Sequence, residues 1–125
     1  MRLAVTALAT VLLITPAIGY AHGHAPAPAH GGEIQDAHGN WIELVLNGRQ
    51  VEIYVLDGHG APVSSSQISG AATVLLDGKP YKAQLVRADG NELTGTLPMP
   101  ASARTAATVS LRIGGKPATA RFASL

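Results

Sequence analysis

The sequence predicts an all-β fold, an antiparallel Ig-like β-sandwich of about seven short strands behind a flexible His-rich arm. Three features predict it. Asn47-Gly48, Asp57-Gly58, Asp77-Gly78, Asp89-Gly90 and Gly114-Gly115 each stand between apolar stretches. Such pairs tolerate the positive φ of tight hairpin turns. The stretches between them have strand length and strand alternation, and no window after the N-terminus sustains a helical period. A small closed barrel is the second architecture compatible with this pattern.

The elements follow in order. Met1-Arg2 leads into an uncharged apolar run at 3–14, then Pro16 and the small residues Ala17, Gly19 and Ala21. This reads as a secretory signal peptide over 1–21, cut after Ala21 or, alternatively, after Gly19. The run is too short for a membrane span of about 20 residues, so the exported chain is expected in the periplasm without a span. Residues 22–32, HGHAPAPAHGG, form a flexible or polyproline-like arm. The domain follows over 33–125. Strands are expected at 41–46 (WIELVL), 50–57 (QVEIYVLD), 72–76 (ATVLL), 81–87 (YKAQLVR), 107–113 (ATVSLRI) and 118–122 (ATARF). Shorter strands are expected near 91–97 and 32–35. Val51, Ile53 and Val55 share one face, as do Tyr81, Ala83 and Leu85, and Val109, Leu111 and Ile113. Trp41 is expected to be the largest core residue. Pro98-Met99-Pro100 marks an irregular crossover.

Composition narrows the function. Hydrophobic residues make up 46% of the chain and charged residues 14%, which suits a packed core and not a disordered chain. A net charge of +1 gives no footprint for nucleic acid or a polybasic membrane anchor. There is no cysteine, which removes disulfides, thiolate metal sites and cysteine nucleophiles. No phosphate loop or nucleophile elbow is present, Ser64-Ser65-Ser66 reads as a loop, and the chain is read as a non-enzyme. Glu43 and Glu52 read as solvent-facing residues or as cross-strand partners of Arg49 or Lys82.

The five histidines all lie between positions 22 and 59. Imidazole is the commonest neutral ligand for divalent transition metals. His22, His24, His30 and His38 are the candidate ligands, with Asp36 or Glu33 as weaker ones. Asp36 and His38 would share one face if that stretch were extended. Cu(II) or Zn is the expected ion, with Ni and Co as further choices; scarce Met and absent Cys argue against Cu(I). A mature terminus at His22 would chelate through amine and imidazole, and one at Tyr20 would place His22 third, which suits square-planar Cu(II) or Ni(II). His59 reads as an exposed turn residue.

His30-Gly31-Gly32, Trp41-Ile42-Glu43-Leu44-Val45, Val51-Glu52-Ile53-Tyr54-Val55 with Asp57, Gly60 and Pro62, and Gly115-Lys116-Pro117 with Ala120-Arg121-Phe122 follow one pattern. It resembles the small exported HGG-type β-domain of periplasmic heavy-metal efflux adaptor proteins, and is also similar to YtkA-like and FixH-like β-sandwich domains. The resemblance covers about residues 30–122. It implies a metal buffer, chaperone or efflux accessory, with an efflux adaptor or another envelope protein as partner, and His30 as the family's HGG histidine. Relatives often carry a His just before the strand Glu, where this chain has Ile42. The rival reading is an envelope protein-interaction module without a metal.

Overall fold

The computed structural model describes residues 24–102 and 105–123. The expected signal peptide and His22 lie outside the described residues. The fold is all-β, two antiparallel sheets packed as a sandwich. Among the described residues nine strands form it: β1 (Glu33–Ala37), β2 (Asn40–Asn47), β3 (Gln50–Leu56), β4 (Ile68–Leu76), β5 (Lys79–Gln84), β6 (Val86–Arg87), β7 (Glu92–Thr96), β8 (Ala107–Ile113) and β9 (Lys116–Phe122). Sheet A has the order β1-β2-β3-β7-β6, and sheet B has β5-β4-β8-β9. Among the described residues, no helix is long and apolar enough to cross a membrane.

The turn dipeptides explain three of the hairpin connections. Gly48-Arg49, just after Asn47 closes β2, joins β2 to β3, Asp77-Gly78 joins β4 to β5, and Gly114-Gly115 joins β8 to β9. Asp77 and Gly78 both have positive φ, 51° and 77°, as a two-residue hairpin turn of matching twist requires. Asp57-Gly58 departs from this pattern. The Asp57 carboxylate accepts the backbone N–H groups of His59 and Ala61, and the chain leaves sheet A for a short 3-10 turn at Ser65–Gln67 before entering β4.

Two extra strands separate the structure from the seven expected. The 81–87 segment is two strands, not one. It pairs with β4 through Gln84, then Val86 pairs with Thr94 of β7, so the chain passes from sheet B to sheet A at Leu85. The short candidate near 32–35 is a full edge strand, β1, in register with β2.

Alternation fixes the core. Ile42, Leu44, Val51, Ile53, Val55 and Leu93 of sheet A face Val74, Val109, Leu111, Ala120 and Phe122 of sheet B, all buried. Phe122, not Trp41, is the largest fully buried side chain. Trp41 is out of phase with Ile42 and Leu44, so it stands half-buried on the outer face of sheet A. The Pro98-Met99-Pro100 segment lies in the crossover from β7 to β8, as expected.

Candidate functional site

The outer face of sheet A carries a cross-strand row of Ile34, Glu43, Tyr54 and Glu92, one residue from each of four strands. A glutamate in such a row ordinarily reaches solvent. Glu43 is instead 4% exposed. It is neither solvent-facing nor paired with Arg49 or Lys82: Arg49 Nε donates to the Leu97 carbonyl, and Lys82 belongs to sheet B. What covers Glu43 is the end of the N-terminal arm.

Residues 29–32 bend over the carboxylate and saturate it. Oε1 accepts from the Ala29 N–H at 3.2 Å and from His30 Nδ1 at 3.0 Å. Oε2 accepts from the His30 N–H at 3.0 Å and the Gly32 N–H at 2.9 Å. Converging backbone N–H groups make an anion-binding nest, and here the anion is the protein's own side chain. Burial alone would raise the Glu43 pKa. The bond from the His30 ring and the Gly32 and His30 N–H groups outweigh that cost and hold it below its ordinary value of 4.5.

The two glycines make the bend possible. Gly31 has φ 73°, the left-handed region that favours glycine. Gly32 lies so close to β2 that a Cβ would collide with the Leu44 carbonyl oxygen and Val45 Cγ2. The His30 ring then lies flat on Tyr54, centroids 3.5 Å apart with an interplanar angle of 4°. Burial and the carboxylates of Glu52, Glu92 and Glu43 push the Tyr54 hydroxyl above its ordinary pKa, so the ring beneath His30 stays a neutral phenol.

An ionised carboxylate can only accept, so His30 Nδ1 is the donor. In the neutral ring, Nε2 therefore carries the lone pair. No hydrogen bond to Nε2 comes from the described residues, and the side chain is 42% exposed. A carboxylate on one imidazole nitrogen, with the other nitrogen open, is the arrangement that orients metal-binding histidines.

The other sequence-predicted ligands lie elsewhere. His38 has φ 50° in the turn between β1 and β2, so the stretch is not extended and Asp36 and His38 do not share a face. The Asp36 carboxylate instead accepts the Gly39 N–H at 3.2 Å across that turn. Glu33 begins β1 on the inward side and accepts from the Gln35 side-chain amide. His24 is exposed in the arm, and His59 is exposed in its turn. Among the described residues, no three His, Asp or Glu side chains are grouped closely enough to hold a metal ion. Sequence reasoning named His30 but missed Glu43 and Tyr54. The readable signal was a pair of adjacent glycines after a His, which marks backbone approaching another group closely. The structure thus defines a β-sandwich with a histidine loop clamped on a buried carboxylate. Comparison with known proteins finds no matching family model, no similar curated protein and no similar solved structure.

Proposed function

We propose that this chain is an exported, non-enzymatic protein that binds a divalent transition metal ion, Cu(II) or Zn foremost, as a periplasmic buffer, chaperone or efflux accessory. His30 is the fixed ligand, through Nε2, and the arm histidines His22 and His24 complete the set. The observation that carries this reading is the His30 ring, held by Glu43 on one nitrogen and by Tyr54 on one face, with Nε2 open. The resemblance to the HGG-type domain of efflux adaptors points the same way. Glu43 has no part as a ligand, since both its oxygens are already filled.

The test is a calorimetric titration of the purified protein with Cu(II), Zn and Ni, after intact mass has fixed its N-terminus. One ion per chain is expected. Affinity should fall at least about tenfold in His30→Ala, and again in His22→Ala/His24→Ala, with His38→Ala unchanged. Imidazole binds metal only when deprotonated, so affinity should drop between pH 7.5 and pH 5. Binding no tighter than that of a free peptide spanning residues 22–32 would end the metal reading in favour of an interaction module.

A further inference from the structure

The two sheets are oppositely charged. The strands of sheet A hold five acidic residues, Glu33, Asp36, Glu43, Glu52 and Glu92, and one basic residue, Arg87. The strands of sheet B hold five basic residues, Lys79, Lys82, Arg112, Lys116 and Arg121, and no acidic one. The near-neutral net charge of the chain hides this polarity.

The basic residues have a definite placement on the outer face of sheet B. Register sets Lys82, Thr73, Thr108 and Arg121 in one row across β5, β4, β8 and β9. Lys82 and Arg121 are exposed at its two ends, and the threonines between them are half-buried. Beside this row the surface dips into a shallow furrow of about 390 Å³ lined by Gly70, Ala71, Thr73, Lys82, Gln84 and Ser110. Ala71 and Ser110, paired across β4 and β8, are too small to fill it. No aromatic or large aliphatic side chain stands in the row itself; Leu75, two residues along β4 from Thr73, is exposed on the same face beside it.

We propose that this face binds an extended acidic segment of a partner protein. Three strand spacings separate Lys82 from Arg121, about 14 Å. An extended chain rises about 13–14 Å over four residues, with residues i and i+4 on the same side. Carboxylates at i and i+4 therefore meet Lys82 and Arg121 together, while i+2 lies over Thr73 and Thr108 and must be small or polar. Carboxylates at i and i+3 point to opposite sides of an extended chain and cannot both reach. The proposal uses none of the histidines and stands apart from the metal reading.

The test uses fluorescence anisotropy with two labelled peptides of equal length and charge, built from Glu, Ser and Thr, one with Glu at i and i+4 and one with Glu at i and i+3. The i,i+4 peptide is expected to bind at least about fivefold tighter, with affinity falling as salt rises. Lys82→Glu/Arg121→Glu should abolish that preference and weaken binding at least about tenfold; Lys79→Glu/Lys116→Glu makes the same charge change at strand ends and should cost less than about threefold. Circular dichroism confirms that both variants are folded. Equal affinity for the two peptides, or equal losses in the two variants, would overturn the proposal. So would binding to vesicles of anionic phosphatidylglycerol that is tighter than to either peptide, which would make the face a membrane contact.

Discussion

At the scale of single residues, the His30-Gly31-Gly32 triplet is three separate physical requirements in a row. His30 supplies a ring for Tyr54 and a donor for Glu43, Gly31 supplies the left-handed turn, and Gly32 supplies proximity to β2. The two glycines therefore should not respond alike to substitution. Gly31→Ala has open space and pays only backbone strain, an expected loss of about 1 kcal/mol. Gly32→Ala drives a Cβ into the Leu44 backbone and should lose more, about 2–3 kcal/mol, because either β2 or the whole bend must shift. Urea denaturation of both variants checks the order; equal losses would mean that the close approach at Gly32 is not a constraint. The motif was visible in the sequence, but its anchor was not. Glu43 has the strand parity of a solvated residue, and only the three-dimensional return of residues 29–32 buries it.

At the scale of elements, the strands were largely legible because each hairpin advertises its turn. The strand at 107–113 has the predicted bounds, the one expected at 41–46 runs one residue further at each end, and the one expected at 50–57 ends one residue earlier. The split at Leu85 was not legible, since a chain that changes sheets keeps its alternation through the change. Tyr81, Ala83 and Leu85 all pack toward the core up to the change, as the pattern required. The edges of sheet B carry their own protection. β5 begins Lys79-Pro80 and β9 begins Lys116-Pro117, and proline cannot donate to an added strand. Replacing Lys116 and Pro117 with Val should leave the fold intact but open seven residues of β9 to another copy. Light scattering should then detect association that grows with concentration and is absent in the parent chain; a strictly monomeric variant would show that the edge is protected by other means.

At the scale of the whole molecule, one core filled from both sheets holds the fold without any cross-link, since the chain has no cysteine. Stability therefore responds to the few buried polar groups, and among the described residues Glu43 is the one of them that titrates. Its folded pKa lies below its unfolded value, so its contribution is fully present above about pH 4.5 and is lost as pH falls through the folded pKa. Thermal midpoints of the parent chain should therefore fall with pH below about 4.5. Glu43→Gln should be about 1–3 kcal/mol less stable at pH 7, because its amide nitrogen meets N–H donors it cannot accept from, and the gap should narrow in acid. A gap that stays constant from pH 7 to pH 3 would mean that Glu43 is not ionised when the protein is folded.

The clamp on Glu43 also has a place in the order of folding. Its four bonds join residues 11 to 14 positions apart, and its stacking partner Tyr54 lies on the next strand. Closing loops of that length costs little chain entropy compared with joining Ile53 to Leu93, or β1 to β9 across the sandwich. The His30 loop, β1, β2 and β3 thus form a low-contact-order unit at the start of the chain, whereas the rest of the sandwich waits on distant pairings. Residues 29–32, the last of the stretch that reads in sequence as an arm, are by this measure fastened among the first parts of the molecule.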